Sequence, residues 1–226
     1  ELVPARAWEY LKVPGSALAA VEGEYRLALT AEVVGAACCD HVELLAVDHP
    51  DDTEIYSNEK VGPPSIAAFH LHTVRERRSP VAVRDREGRD LLPLVRDADD
   101  QYARPFRHKL LQGLTEPGWM EIELGLSERP ERLRLFLTGW IYPTDTTINT
   151  ALAENPGMSG PEPPSISLPN ADGAFETAIP FMGFPGGKTK TIVVDLTEVW
   201  REGIDRLRIE TSQELYWDEI FFSTET

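Results

Sequence analysis

Two histidines, His70 and His72, lie two positions apart and are followed four residues later by Glu76. If this stretch is a strand, side chains two positions apart point to the same face, so both imidazoles share one side. Imidazole and carboxylate groups are common ligands of transition metals. A complete site would need a further histidine motif downstream, and the sequence contains none. We therefore interpret both histidines as polar side chains on the solvent face of an edge strand, with metal binding as the alternative.

A glycine-rich stretch at residues 181–191 contains Gly187, Lys188 and Thr189, the order that ends a phosphate-binding loop. Only three residues separate Gly183 from Gly187, whereas the phosphate-binding motif has four. The residues that follow favour a strand, so no helix N-terminus is available to bind phosphate. The stretch predicts a loop between strands.

Acidic side chains are numerous, but none forms a recognisable catalytic set. No serine lies in a nucleophile elbow, and abundance alone does not predict a glycosidase pair. Asp85, Glu87 and Asp90 surround Gly88 without the ligand spacing of an EF-hand, which predicts a hairpin turn. Asp218 heads the last predicted strand, where we expect it to fix a turn or to bind a structural cation such as calcium. No catalytic residue and no other cofactor is predicted.

The two cysteines, Cys38 and Cys39, are adjacent. Because they are neighbours in the sequence, a disulfide between them would join no distant segments of the chain. We interpret them as two small buried side chains beside a turn, with a strained vicinal disulfide or a metal site as alternatives.

Aromatic side chains lie near the predicted strand ends and loops of the second half. A β-sandwich can present flat rings at such positions to sugar faces or to a partner protein. Alternation along the strands must bury some of them. The residues predicted to bind a ligand are Trp140, Tyr142, Phe181, Phe184 and Trp217.

The composition is that of an acidic globular protein. The 226 residues include 38 acidic and 22 basic side chains, for a net charge of -16. This charge would repel phosphate backbones and anionic lipids, so we expect no nucleic-acid partner. No apolar run approaches the roughly 20 residues of a membrane span, the N-terminal residues lack the pattern of a secretion signal, and the chain begins at Glu1 rather than at a methionine. We expect it to be a processed or excised part of a longer protein.

Strand-like segments recur throughout, and most of the 18 prolines and 16 glycines lie between them. This pattern is typical of an all-β protein built as an antiparallel β-sandwich. Residues 91–97 and 102–112 weakly favour short helical turns, and residues 155–164 predict an ordered loop. Strands are predicted at residues 8–13, 25–30, 42–47, 67–74, 81–84, 119–124, 132–142, 165–168, 189–196, 206–210 and 216–222.

The chain is predicted to contain two units with a boundary near Gly113. Residues 1–112 would form a smaller β-rich unit, and residues 113–226 have about six strands, enough for an independent sandwich. The stretch from Tyr25 to Leu45 also repeats the plan of residues 206–222, with a strand, a turn and a second strand headed by Asp40 or Asp218. A plan used twice indicates architecture rather than a site.

Several distinctive segments support a resemblance to a known group. Residues 44–60, 135–149, 180–196 and 207–222 resemble the C-terminal regions of large bacterial proteins that carry tetratricopeptide repeats, or FG-GAP/VCBS repeats with ASPIC/UnbV-type modules. The resemblance covers most of the chain and implies a periplasmic or extracellular, multidomain setting without implying an activity. The closing strand is also similar to the last strand of galactose-binding-like jelly rolls, which implies a jelly roll for the second half and transfers no function.

The sequence as a whole predicts a non-catalytic β-sandwich module that binds or scaffolds within a larger exported bacterial protein. Its expected partners are other domains or subunits of a larger assembly, or glycan, without membrane insertion. One alternative is a cupin-like metal-dependent enzyme that uses His70, His72 and Glu76. Another is a purely structural subunit of a large assembly.

Overall fold

The protein is an all-β sandwich of antiparallel sheets, as the sequence predicts. The computed structural model describes residues 10, 12–28 and 41–225. Parts of the strands predicted at residues 8–13 and 25–30 lie outside these ranges, as do Cys38, Cys39 and Asp40. The strands of the described ranges are β1 (Glu54–Ser57), β2 (Lys60–Val61), β3 (Leu71–Val74), β4 (Ala82–Asp85), β5 (Lys109–Leu111), β6 (Leu114–Glu123), β7 (Arg134–Ile141), β8 (Ser165–Pro169), β9 (Phe175–Ile179), β10 (Phe184–Pro185), β11 (Lys190–Asp195), β12 (Arg206–Gln213) and β13 (Leu215–Ser223).

Two sheets form the layers of the sandwich. The larger has the order β4-β6-β12-β8-β9, with β5 also paired to β6, and the smaller has the order β11-β7-β13. All of these pairs are antiparallel. Two small sheets, β1-β3 and β10-β2, are also present. The jelly-roll assignment for the second half stays a prediction.

The core lies between the two layers and follows the alternation of the strands. Leu135 and Leu137 of β7 are fully buried, and so is Leu207 of β12 in the facing sheet. Full burial of one such side chain contributes about 1.5–3 kcal/mol. Gly139 continues the inward row of β7, where a Cβ atom would lie 2.2 Å from the carbonyl oxygen of Tyr216. Only glycine allows β7 and β13 to approach this closely.

The exposed edges of the sheets are modified in ways that discourage further strand pairing. Asp90 forms a β-bridge beside β4, and Arg78 and Ala103 form β-bridges beside β13. The edge strand β9 has a register shift against β8 and exposes Glu176. A bulge and a charge on an edge strand both oppose association with another strand.

The predicted turns and loops of both halves are confirmed. The Asp85 carboxylate accepts hydrogen bonds from the backbone N–H groups of Glu87 and Arg89, at 3.1 and 2.8 Å, and Gly88 has φ +78°. These contacts make the predicted hairpin turn. Gly187 lies in the loop between β10 and β11. A strand and not a helix follows that loop, as the sequence analysis predicts for the glycine-rich stretch.

Several predicted elements differ in the structure. Residues 42–47 form no strand, and neither do residues 25–28, so the described residues do not show the repeated strand plan. The segment 67–74 begins in a short helix, α1 (Pro64–Ala67), and becomes extended only at β3. The region 102–112 contains β5 in place of a helical turn, whereas the 3₁₀ turn Leu92–Leu94 confirms the prediction for residues 91–97.

The sequence analysis also missed a helix, α2 (Thr146–Glu154). Asp145 caps it, because its carboxylate accepts a hydrogen bond from the backbone N–H of Ile148 at 2.8 Å. Leu152 is its buried residue, so the helix lacks a clear apolar stripe. The predicted boundary near Gly113 stays a prediction, although β4 and β5 pair with β6 across it.

Candidate functional site

The outer face of the smaller sheet carries two stacked aromatic pairs. Phe136 of β7 lies opposite Phe221 of β13, and Trp140 lies opposite Tyr216. The ring centroids are 4.6 Å apart in the first pair and 4.4 Å apart in the second, with interplanar angles of 5° and 7°. Both pairs point away from the core, because they alternate with the inward-facing leucines of β7.

The first pair is sealed by the antiparallel pair of β1 and β3, whose connection contains β2 and α1; we call this strand pair the hairpin. Tyr56 of β1 tilts onto both phenylalanines, with centroid distances of 5.3 Å to Phe136 and 5.2 Å to Phe221. Its hydroxyl donates a 2.5 Å hydrogen bond to Glu54, and burial followed by this bond raises the pKa of Tyr56. Phe136 is only 1% exposed and Phe221 only 2%. We call these two phenylalanines the sealed pair.

A cation and a glutamate complete the sealed pair. The Arg77 guanidinium lies 4.4 Å from the centroid of Phe221 and forms an ion pair with Glu219 of β13. Burial raises the pKa of Glu219 and outweighs the opposing effect of Arg77. Arg77 is the cation that opposes this rise.

The segment that directly follows β1, residues 58–60, is fixed to the edge of β11 next to the hairpin. The Asn58 side chain accepts a hydrogen bond from the backbone N–H of Val193 at 3.0 Å. The Lys60 ammonium donates to the carbonyl oxygen of the same residue at 2.7 Å, and Glu59 donates its backbone N–H to Thr191 at 3.1 Å. Burial lowers the pKa of Lys60 to about 8. These contacts satisfy an edge that would otherwise leave polar backbone groups unpaired.

The second pair has a similar set of neighbours but remains partly exposed. Tyr102, from a loop, meets Trp140 and Tyr216 edge-on at 6.1 and 6.5 Å. Its hydroxyl donates to Asp100 at 2.8 Å, two residues earlier, as that of Tyr56 donates to Glu54. Tyr142 lies 6.1 Å from Trp140 and is 44% exposed. We call the set Tyr102, Trp140, Tyr142 and Tyr216 the open aromatic surface.

Glu214 holds one side of the open aromatic surface in place. It is 1% exposed and accepts hydrogen bonds from the Tyr216 hydroxyl at 2.5 Å, from the backbone N–H of Gly113 at 3.1 Å and from the Lys109 ammonium. Burial acts to raise the pKa of Glu214, but the hydrogen bonds from Lys109 and Tyr216 outweigh it and leave the pKa lowered. The bond to Glu214 raises the pKa of Lys109 to about 12. Lys109 also lies 5.7 Å from the centroid of Tyr216, the counterpart of Arg77 on the sealed pair.

A cleft of about 210 Å³ opens at one end of the sandwich, where several loops converge. Its lining includes Ile141, Pro143, Phe184 and Gln213, and no charged side chain lines it. An uncharged, mostly apolar lining disfavours a charged ligand, because an ion in such a site loses its hydration without gaining a partner.

The predicted ligand-binding residues separate into three places. Trp140 and Tyr142 belong to the open aromatic surface. Phe184 lines the cleft, and the ring centroid of Phe181 lies 6.2 Å from that of Phe184. Trp217 is fully buried in the core, so it is not part of any surface in this structure.

The sequence analysis assigned no site role to Tyr102, Lys109 or Glu214, and it counted Tyr216 among the aromatic residues near strand ends without selecting it as a ligand-binding residue. Tyr102 reaches this surface through the β-bridge of its neighbour Ala103 with Trp217, and Lys109 through its ion pair with Glu214, and no local pattern shows either contact.

The predicted metal ligands do not assemble into a site. His70 and His72 do share one side, with ring centroids 6.5 Å apart. The His72 ring packs edge-on against Phe136 at 6.0 Å, and burial followed by the charge of Arg134 lowers its pKa to about 4. Glu76 is exposed. Within residues 10, 12–28 and 41–225, no three His, Cys, Asp or Glu side chains lie close enough to hold a metal ion.

Asp218 fixes a turn, as one of its two predicted roles requires. One carboxylate oxygen accepts hydrogen bonds from the backbone N–H groups of Asp99 and Asp100, at 3.1 and 3.0 Å. Asp100 has φ +63°, and its backbone N–H is held in this conformation by the bond to Asp218. Burial raises the pKa of Asp218 and outweighs these two bonds.

Comparison with protein-family models, with curated proteins and with solved structures found no match to this chain. Among the residues that the structure describes, no helix has both the length and the apolar character needed to cross a membrane. The assignment of a function therefore depends on the geometry of the site.

Proposed function

We propose that this protein is a non-catalytic binding or scaffolding module whose contact surface is the open aromatic surface. The observation that carries the proposal is the contrast between two similar arrangements on one sheet face. One stacked pair is sealed by Tyr56, whereas Trp140 and Tyr216 remain partly exposed. Tyrosine and tryptophan side chains are among those that most often carry the binding energy of an interface.

The setting of the module belongs to the same proposal. The sequence resemblance supports a place in a larger exported bacterial protein, in the periplasm or outside the cell. Other domains or subunits of that protein would then be the first partners to test. The absence of a described three-ligand metal group leaves the cupin-like alternative with only His70 and His72 in support.

The cleft favours glycan as a second candidate ligand. Its volume of about 210 Å³ suits one sugar ring, and its walls combine the Phe184 ring with the amide of Gln213. Aromatic carbon faces with a few polar groups are typical of sites for small neutral ligands. A glycan bound here would contact Phe184, which the sequence analysis selected.

The test is a titration of the full chain against the remainder of the parent protein and against a glycan array. Trp140→Ser should weaken binding of a protein partner at least about tenfold, which corresponds to about 1.4 kcal/mol. Trp119→Ser is the matched control, because Trp119 is also partly buried but lies on β6 in the other sheet. Glycan binding at the cleft should depend on Phe184→Ser and not on Trp140→Ser.

Two results would count against the proposal. One is that the wild-type chain binds neither the parent protein nor any glycan while it turns over a substrate. The other is a stoichiometric transition metal in the purified protein that is lost in His70→Ala, which would favour the metal-dependent enzyme.

A further inference from the structure

We infer that the cleft at the end of the sandwich continues past Pro161 into a second hollow, and that the two together bind a chain of at least two neutral sugar units. This inference rests on the glycan candidate of the proposed function. It adds the minimum size of the ligand and the side chains that contact it. Its starting point is a pair of adjoining hollows.

The two hollows are similar in size and share Pro161 as a wall. The first is the cleft of about 210 Å³. The second has a volume of about 230 Å³, and we call it the side cleft. Its lining consists of Asn149, Leu152 and Ala153 of α2 together with Gly160 and Pro161. Each hollow suits a single sugar ring, so two linked rings can occupy both by passing over Pro161.

The shared wall is fixed to the sheet by hydrogen bonds. The backbone N–H of Glu162 donates to the Ser212 hydroxyl at 2.8 Å, and the Glu162 carbonyl oxygen accepts from the Thr211 hydroxyl at 2.7 Å. These contacts hold Pro161, the preceding residue, against the end of β12. A wall that is already fixed loses little conformational entropy when a ligand binds.

Gln213 brings to the cleft a polar group that the fold itself does not use. The register of β12 shifts between Thr211 and Gln213, and the backbone N–H of Gln213 donates to the Thr211 hydroxyl at 3.0 Å. Irregularities of this kind often redirect a side chain beside a binding site. Gln213 lines the cleft, and its side-chain oxygen is buried without a hydrogen-bond partner among the described residues. Buried polar atoms are rarely left unpaired, so an amide reserved for a ligand explains this oxygen better than a structural contact does.

The Gln213 amide is suited to a hydroxyl group. Because no described hydrogen bond holds its oxygen, a half-turn of the amide can exchange the positions of oxygen and nitrogen and present either to the cleft. A hydroxyl both donates and accepts hydrogen bonds, so it can pair with the amide in either orientation. A second amide, that of Asn149, lies in the lining of the side cleft.

The remainder of the lining favours a neutral ring. Among the described residues, no charged side chain lines either hollow, so an ion would lose its hydration there without gaining a partner. The Phe184 ring and the Leu152 side chain supply apolar surface, one in each hollow. Apolar walls with a few polar groups are typical of sites for small neutral ligands. A sugar ring combines hydroxyl groups with apolar C–H faces, so it matches both parts of this lining.

The lining is less suited to an extended peptide, which commonly binds by adding a strand to a sheet edge. The strand residues in the lining of the cleft are already paired with neighbouring strands. They are Ile141 of β7, Phe184 of β10 and Gln213 of β12. Loops and the side chains of α2 complete the two hollows, which therefore offer side chains to a ligand rather than a backbone edge.

The experiment measures binding of neutral oligosaccharides to the full chain by titration calorimetry. The probes are cellotetraose, mannotetraose, galactotetraose and xylotetraose, each compared with its own monosaccharide. Tetragalacturonate and tetraglucosamine are the acidic and basic counterparts, and a neutral peptide of alanine and proline represents the other class of ligand. At least one neutral tetrasaccharide should bind at least about tenfold more tightly than its monosaccharide, because the side cleft adds contacts.

The variant Gln213→Met tests the amide in the cleft. Methionine is similar in length to glutamine but has no amide, so the affinity for the bound tetrasaccharide should fall about tenfold. The urea midpoint of the free chain should stay unchanged or rise, because the side-chain oxygen has no hydrogen bond to lose. A purely structural role for Gln213 would lower that midpoint instead. Gln101→Met is the matched control, since Gln101 is exposed and lies outside both linings, and it should bind like the wild type.

The variant Asn149→Ala tests the side cleft. It should weaken binding of the tetrasaccharide severalfold and leave binding of the monosaccharide unchanged, because only the longer ligand reaches α2. Thr147→Ala is the matched control on the same helix, since Thr147 is exposed and outside the lining. Circular dichroism of each variant checks the fold.

The failure of this inference can be told from failure of the proposed function. A tetrasaccharide that binds no more tightly than its monosaccharide, or that binds equally well to Gln213→Met, overturns the inference and leaves a binding module. Binding of the peptide or of a charged oligosaccharide in place of the neutral ones also overturns it. If no neutral tetrasaccharide binds, the inference fails, and the titration against the parent protein decides the proposed function separately.

Discussion

Replacing Phe136 or Trp140 by alanine tests whether the two halves of the outer sheet face differ as the structure shows. Both residues lie on β7, point away from the core and stack on a ring of β13. They differ in cover, because only Phe136 lies beneath the hairpin of β1 and β3. The two variants therefore compare a sealed ring with an open one in the same strand.

The expected costs follow from burial. Phe136 is 1% exposed, so its loss leaves a cavity and should lower the free energy of unfolding by about 3–5 kcal/mol. Trp140 is partly exposed, so water fills the vacated space. Its loss should cost about 1–2 kcal/mol, mainly the stacking on Tyr216, which contributes about 0.5–1.5 kcal/mol.

The assay is urea denaturation followed by far-ultraviolet circular dichroism, since removing one of five tryptophans changes the fluorescence signal itself. The denaturant slope should stay at the wild-type value, which shows that the midpoint shift reports stability. Melting temperatures give a second measure. At about 2–4 °C per kcal/mol for a chain of this size, Phe136→Ala should melt about 6–20 °C lower and Trp140→Ala about 2–8 °C lower.

An equal cost for the two variants would refute the reasoning. It would mean that Trp140 is as well covered as Phe136 and that no open surface exists. The proposed function would then lose the observation on which it depends.

Three further variants test individual contacts. Glu214→Gln should cost about 1–3 kcal/mol at neutral pH. Because the folded-state pKa of Glu214 is lowered, its stabilisation is lost as the pH falls below about 4.5, so the two proteins should converge there in urea titrations. Lys60→Met should remove a rise in wild-type stability between about pH 8 and 10.5, where the unfolded chain still holds the lysine proton that the folded chain has lost. Gly139→Ala should cost about 3 kcal/mol or more in melting experiments, because its Cβ would also lie 2.8 Å from the Trp217 ring. Gly157→Ala, with nothing within 4 Å of its Cβ, is the matched control.

The strands of the second half were predictable because alternation is a local signal. Residues 206–210 and 132–142 alternate polar or outward residues with apolar inward ones, and both became long strands, β12 and β7. Turn chemistry at Gly88 was equally local. Residues 42–47 have the same apolar character but no strand partner within the described ranges, so the strand predicted there is wrong.

The candidate site was only partly predictable from the sequence. Trp140 and Tyr142 were selected as aromatic residues near a strand end, and both lie on the open aromatic surface. Trp217 looked equivalent, but its alternation with Tyr216 turns it inward, where it is fully buried. Lys109 and Glu214 are more than a hundred residues apart in sequence, and only the folded chain brings them together.

The closing strand pair shows what the sequence determined and what it left open. The order of side chains in residues 206–222 determined two strands and an aspartate suited to fix a turn. Alternation assigns a side chain to one face of its strand but contains no information about what covers that face. The tertiary structure decided the cover, because the hairpin of β1 and β3 comes from residues 54–74 and settles over Phe136 and Phe221, leaving Trp140 and Tyr216 partly exposed.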